Sequence, residues 1–310
     1  MCKILARTKG MAREDWLALR RQGIGGSDAG AVCGVNPYAN ALSVYRDKTG
    51  EDLEEEDNES MRQGRDLEEY VANRFTEETR LKVRRSNVMY QSAEMPFMIG
   101  DVDRLIAGED AGLECKTVSP YNADKWKDGQ VPLHYVIQCL HYMIVTGKKT
   151  WYIAGLIFGK EFVYRKISYD PILAEQLKNI EADFWNNNVV KRKMPDPDGS
   201  KVYDDILQKY FKTAKKGSTV ELAGFDEKLM QRERLSAQIS ELTAAQKAIE
   251  QEIKLFMKDS ELAVSEKYRV SWGNVNTTRL DTKKLKEEHP DIYEKYARRS
   301  QSRRFEVRAA

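Results

Sequence analysis

Between residues 82 and 118 the apolar residues stop recurring every three or four positions and begin to alternate, and that change constrains the fold more than any other feature of the chain. Lys82 to Gln91 and Phe97 to Ile106 read as strands. Gly108-Glu109-Asp110-Ala111-Gly112 supplies turn chemistry before a third strand, Leu113 to Val118. Helical segments stand on both sides. Residues 13–22 form one around Trp16, Leu17 and Leu19, broken by Gly23, Gly25 and Gly26, after which Ser27 is placed to N-cap a short helix from Asp28 to Cys33. Helices from Ala41 to Lys48 and Ser60 to Glu78 follow, the second with Leu67, Val71 and Phe75 on one face. Beyond the strands come a helix from Leu133 to Val145 closed by Gly147, a hairpin of Trp151 to Phe158 and Glu161 to Ser168, and a helix from Pro171 to Lys191. The pattern predicts an α/β fold with a central mixed β-sheet flanked by helices.

The segment Met194 to Gly199, with Pro195 and Pro197, reads as a linker, dividing the 310 residues into a domain at 1–195 and an appendage at 196–310. In the appendage Leu235, Ile239, Leu242, Ile249, Ile253 and Phe256 recur at spacings of four and three, with Gln246 at the skipped position. That is an amphipathic helical arm, short for an autonomous coiled coil. A hairpin is expected from Lys267 to Trp272 and Thr277 to Leu280, turning at Gly273-Asn274, and then a helix from Thr282 to Tyr296. The end is basic: Lys295, Arg298, Arg299, Arg303, Arg304 and Arg308 oppose only Glu306.

Overall charge is balanced, 51 Lys and Arg against 49 Asp and Glu, so any affinity for a polyanion must be local. The acidic stretch Glu51 to Glu59 reads as a solvated loop. No apolar run is long enough to predict a transmembrane helix, and the charged start of the chain lacks the apolar stretch of a signal peptide. Cys2, Cys33, Cys115 and Cys139 show no paired spacing, so neither a zinc site nor a disulfide framework is expected, and a reduced cytoplasmic setting fits best.

The chemistry concentrates on the third strand. In Leu113-Glu114-Cys115-Lys116, alternation puts Glu114 and Lys116 on one face and Leu113 and Cys115 on the other. Asp101 and Asp103 share a face of the strand before it, and the turn at 108–112 could bring Asp103 to Glu114 and Lys116. Two carboxylates and a lysine are the parts that metal-assisted phosphodiester hydrolysis needs: hard oxygen ligands and a cation near the developing charge. The same residues also fit a surface hairpin carrying an ion pair.

Four ordered motifs settle between these readings. The run Arg13-Glu14-Asp15-Trp16-Leu17-Ala18-Leu19-Arg20 to Gly23-Ile24-Gly25-Gly26-Ser27-Asp28, then Gly64-Arg65-Asp66-Leu67-Glu68, then Gly100 to Lys116, then Pro132, Gln138 and Tyr142 resemble the YqaJ-type viral recombinases. These are lambda-type phage exonucleases of the PD-(D/E)xK nuclease superfamily, and the resemblance covers residues 10–190.

The resemblance implies a PD-(D/E)xK core and a Mg²⁺-dependent 5′→3′ exonuclease on double-stranded DNA ends, with Mn²⁺ as a possible substitute. Asp103 and Glu114 would be the main metal ligands, with Glu68 joining directly or through water. Lys116 would orient or activate the attacking water. Asp101 is the alternative to Asp103, which is preferred because Arg104-Leu105-Ile106 fits the family's Asp-x-apolar-apolar pattern. Arg20 and Ser27 match the pocket for the terminal 5′-phosphate, although Ser27 would serve equally as an ordinary helix cap. Gln138 and Tyr142, one helical turn apart, could bond a catalytic group or the substrate backbone. Expected partners are duplex DNA ends, a single-strand annealing protein and further copies of the chain, in a trimeric ring as in family members, inside a bacterial host. An endonuclease of the same superfamily and a DNA-end-binding recombination scaffold are the competing readings. The family's iron–sulfur relatives need cysteines that are absent beyond Cys139.

Overall fold

The computed structural model describes residues 2–51, 58–298 and 302–308. Most of the acidic stretch, residues 52–57, lies outside them. The chain divides into two compact units, Met1–Tyr210 and Phe211–Ala310.

The first unit opens with a strand, β1 (Lys3–Arg7), and four helices: α1 (Arg13–Arg20), α2 (Gly26–Val32), α3 (Ala41–Thr49) and α4 (Glu59–Thr79). Six strands follow, β2 (Val83–Arg85), β3 (Val88–Gln91), β4 (Ile99–Asp101), β5 (Arg104–Ile106), β6 (Ala111–Val118) and, after the 3₁₀ segment Pro120–Gly129 and α5 (Leu133–Thr146), β7 (Thr150–Ile157). The unit closes with β8 (Glu161–Ser168), α6 (Pro171–Phe184) running into a π turn at Trp185–Val190, and α7 (Lys201–Tyr210).

A five-stranded sheet in the order β2-β5-β6-β7-β8 lies beside a three-stranded sheet, β1-β3-β4. Only β6 and β7 run parallel within the larger sheet, joined through α5 as parallel neighbours require. On one face α4 packs Val71, Ala72 and Phe75 against Leu113 and Ala154; on the other, α5 packs Cys139, Leu140 and Met143 near Trp151 and Ile153. Gly112 is required where it stands, because a Cβ there would lie 2.4 Å from the Trp151 ring.

Two expected strands are each cut in two. Lys82 to Gln91 becomes β2 and β3, parted at Asn87, whose φ of 54° turns the chain into the left-handed region that asparagine tolerates. Phe97 to Ile106 becomes β4 and β5. In each case the first and second halves belong to different sheets, so the chain turns a corner between sheets at both places. Asp101 and Asp103 therefore do not share a face of one strand; Asp101 ends β4 and Asp103 sits at the corner.

Further corrections concern the ends of elements. The N-cap of α2 is Gly25, whose N–H is bound by Asp28 Oδ2 at 2.9 Å, so Ser27 lies inside the first turn. The first unit extends to Tyr210 and not to 195. Tyr203 and Ile206 of α7 bury against the cluster containing Ile24, Leu42, Tyr45 and Phe184, and Asn40 Nδ2 donates to Asp198 Oδ2 at 2.9 Å. Trp126 is 2% exposed and anchors the core.

The second unit holds α8 (Asp226–Met257), β9 (Leu262–Val264), β10 (Arg269–Ser271), α9 (Thr282–Glu288) and α10 (Pro290–Tyr296). The hairpin forms upstream of its expected place: β10 pairs with β9, because Ser265 and Tyr268 close a four-residue turn. Residues 277–280 form no strand. The last helix is broken at His289, as expected of a residue preceding proline. No helix among the described residues is long and apolar enough to cross a membrane.

Candidate active site

The site is assembled where β6 meets the corner between β4 and β5. Alternation along β6 buries Leu113 against α4 and sends Glu114 toward α5, where it is only 3% exposed. Lys116 follows on the same face, its Nζ 2.6 Å from Glu114 Oε1 and 4.7 Å from the centre of the Tyr135 ring. Asp103 reaches β6 from the corner: its Oδ2 accepts the Cys115 N–H at 2.8 Å. Backbone hydrogen bonding thus fixes one carboxylate beside the other.

From the opposite side α5 presents Gln138. Its Nε2 donates to Glu114 Oε1 at 2.7 Å and to the Tyr142 hydroxyl at 3.0 Å. The i, i+4 spacing of Gln138 and Tyr142 puts both on the face that meets β6. Tyr142 also packs on Gly26, where a Cβ would lie 2.5 Å from its ring, so the glycine run before α2 lets that loop close over α5.

A cavity of about 880 Å³ opens over these groups. Asp103, Glu114 and Gln138 line it together with Glu68, Arg20 and Ser27. Lys116 is not among the lining residues and joins them through its ion pair with Glu114. The structure therefore gathers the other expected site residues around one cavity.

Glu114 Oε2 is buried without a hydrogen-bond partner. Burial raises the Asp103 carboxyl well above the ordinary range, and the neighbouring Glu114 and Glu68 charges push the same way. Burial likewise raises Glu114, with Lys116 and Gln138 opposing it. Lys116 is itself raised: burial acts against its charge, but Glu114 outweighs that.

Comparison with known proteins now has a geometry to stand on. Residues 15–149 match the model of the YqaJ-like viral recombinase domain. The protein YqaJ of Bacillus subtilis strain 168 is 37% identical over 310 residues, spanning 99% of this chain and 97% of that protein. The chain belongs to the YqaJ-like viral recombinase family.

Among solved structures, an alkaline exonuclease from Laribacter hongkongensis, LHK-Exo, superposes with a TM-score of 0.50 at 16% identity, covering 65% of this chain and all of that one. The same enzyme in complex with dAMP matches at 18% identity with the same TM-score and coverage. These likenesses establish the fold: a mixed α/β architecture with a central mixed sheet flanked by helices, shared with LHK-Exo.

Within that architecture two expected residues are engaged by arginines or acids. Glu68 Oε1 pairs closely with Arg104 and lies 3.5 Å from Arg85, while Arg104 also holds Glu69 at 2.8 Å. Glu68 therefore lies on the cavity wall under the pull of two guanidinium groups. Arg20 reaches Asp28 at 2.9 Å and Ser27 Oγ at 3.3 Å, which ties both candidate phosphate residues to the start of α2. Asp101 Oδ2 accepts the Trp16 indole N–H at 2.6 Å, leaving Asp103 as the aspartate held against β6.

Among the described residues no three His, Cys, Asp or Glu side chains are grouped to hold a metal ion. A two-carboxylate site still fits Mg²⁺, which commonly takes one or two protein carboxylates and fills the rest with water and substrate phosphate. Asp103 and Glu114 supply that donor set, and the unpartnered Glu114 Oε2 is the atom such a cation would satisfy.

Sequence reasoning missed the groups that brace the site. Lys48 is wholly buried and contacts Asp28 Oδ2 at 2.7 Å, Asp47 Oδ2 at 3.0 Å and the Arg20 carbonyl at 3.1 Å. His141 lies 2.8 Å from Glu181 Oε1 through Nδ1 and 2.8 Å from the Ile99 carbonyl through Nε2. That contact fastens α5 to β4 just before Asp101. His134 packs against Gly30, and its pKa is held down to about 4 by burial and then by Lys116 and Lys125. No local pattern marks these residues, because their partners stand on other elements.

Proposed function

We propose that the protein is a Mg²⁺-dependent exonuclease that degrades one strand of duplex DNA from its 5′ end. The observation that carries this reading is the juxtaposition of Asp103 and Glu114 at one cavity that Arg20 and Ser27 also line, with Lys116 paired to Glu114. The exonuclease activity of LHK-Exo, which shares the fold, supports it.

A divalent cation held by Asp103 and Glu114 would supply charge neutralisation at the scissile phosphate. The protein's own groups do the positioning. The Cys115 N–H fixes Asp103, and Gln138 fixes Glu114 through Oε1, leaving its second oxygen without a partner. Lys116, cationic beside Glu114, donates to the attacking water or to a phosphate oxygen. Glu68 completes the acidic wall through solvent. Arg20 and Ser27 take the terminal 5′-phosphate, which sets the distance from the chain end to the bond that is cut.

In this reading the product is a 3′ single strand, delivered to an annealing partner in recombination of the phage type, and assembly into a ring would keep the enzyme on its substrate. The basic tail supports backbone contact, since a few Lys and Arg give salt-dependent, sequence-independent affinity. An end-dependent enzyme must recognise the end. A linear duplex carrying 5′-phosphate is expected to be digested faster than one with 5′-hydroxyl, and Arg20→Ala should erase the difference. An unchanged ratio in the variant would remove Arg20 from the pocket.

A further inference from the structure

A lysine carries its charge on a flexible four-carbon stem, so an ammonium that must meet one phosphate needs more than one contact to hold it. Glu114 is a shared anchor. The Oε1 atom that lies 2.6 Å from Lys116 Nζ also accepts from Gln138 Nε2 at 2.7 Å. The second contact comes from α5. Lys116 Nζ stands 4.7 Å from the centre of the Tyr135 ring, within the range at which the negative face of a ring attracts an ammonium.

The register of helix on strand explains the pairing. Tyr135 and Gln138 are three residues apart and share a face of α5, as Glu114 and Lys116 share a face of β6. One face meets the other twice, Gln138 on Glu114 and Tyr135 on Lys116. The ring is itself held, with the His134 ring centre 4.0 Å away and that of the buried Trp126 at 5.9 Å. We propose that Tyr135 is the positioning residue for Lys116, its ring keeping the ammonium against Glu114. The inference rests on the reading of Lys116 as the cation that acts on the attacking water or the phosphate.

A second cavity, of about 680 Å³, shows what the ring prevents. Tyr135, His134 and Trp126 line it together with Thr117, the residue after Lys116. Lys116 does not line it, because the Tyr135 ring closes that side. With the ring gone, the stem gains room to turn away from the bond that is cut. Tyr135 is absent from the lining of the catalytic cavity, so the loss falls on kcat and leaves KM alone.

The test measures duplex hydrolysis with Mg²⁺ by the full chain, as wild type, Tyr135→Leu, Tyr135→Phe, Lys116→Ala and the Tyr135→Leu, Lys116→Ala double variant, with the thermal transition of each. Tyr135→Leu should lower kcat by roughly 5- to 30-fold, the equivalent of one desolvated contact between cation and ring, at unchanged KM. Tyr135→Phe keeps the ring face and should recover most of the rate. In the Lys116→Ala background Tyr135→Leu should cost nothing further, whereas a merely structural residue would slow both backgrounds alike. Should the leucine variant not fold, Tyr135→Met, which fills the gap with a flexible apolar chain, takes its place in the same comparison. Equal losses in the two backgrounds, a phenylalanine variant as slow as the leucine one, or a leucine variant at the wild-type rate would overturn the proposal. Undiminished cleavage by Lys116→Ala alone would instead overturn the role of Lys116 on which it rests, and that arm is read independently of Tyr135.

Discussion

Replacing Lys116 by alanine is expected to lower duplex hydrolysis by roughly 10²- to 10³-fold, the scale seen when a preorganised donor to developing charge is removed. The fold should survive. Without the ammonium at 2.6 Å, the buried Glu114 carboxyl loses the charge that opposes the effect of its burial, while Gln138 keeps its hydrogen bond. DNA binding should therefore be retained where cleavage is lost. Glu114→Ala should have the same effect on hydrolysis by a different route, removing a ligand and the anchor of Gln138. Steady cleavage by either variant, with the thermal transition unchanged, would detach the chemistry from β6.

The second large effect concerns stability. Lys48→Met should destabilise the first unit by about 3 kcal/mol or more, because it strands Asp28, whose side chain is only 7% exposed, without its principal cation. For a unit of this size the melting temperature should fall by roughly 6–12 °C. The pH dependence gives an independent readout. Burial alone would raise Asp28, but Lys48 and then Arg20 hold it well below the ordinary carboxylate range. A carboxyl depressed in the folded state contributes stability that is fully present above its unfolded value, about 3.9, and is lost as the pH falls toward the folded value. The variant should lose less stability than the wild type between neutral pH and the acid range. Equal melting temperatures at neutral pH would show that the ion pair is dispensable.

How much of this could be read from the chain depended on the distance between cause and effect. The face taken by Glu114 and Lys116 follows from alternation within one strand, and the pairing of Gln138 with Tyr142 from one helical turn, so both were legible. Helix α5 ends as Gly147 requires, with φ of 76°. The corners were not legible: apolar residues alternate straight through 82–91 and 97–106, and nothing in that rhythm says that a strand changes sheets midway. Asp103 is effective because of the corner, since it arrives at β6 from outside the strand and accepts the Cys115 N–H.

Interactions between elements were equally hidden. Lys48 and His141 carry no local signal of their roles, yet both are buried against partners on other elements. The hairpin near the C-terminus was misplaced because Gly273-Asn274 carries turn chemistry, whereas Ser265 and Tyr268 close the turn that forms. Balanced charge likewise concealed local order. A net of +2 is compatible with an acidic cluster at Asp103 and Glu114 set beside Arg20, as a phosphate-cleaving site requires.

The central claim, hydrolysis that begins at a 5′ end, is tested most directly by digesting linear duplex labelled at the 5′ or the 3′ terminus beside a covalently closed circular duplex, each with Mg²⁺ and with EDTA. The account predicts immediate release of the 5′ label, late release of the 3′ label, an intact circle, and no reaction in EDTA. Cleavage of the circle, prior loss of the 3′ label or persistence in chelator would contradict it.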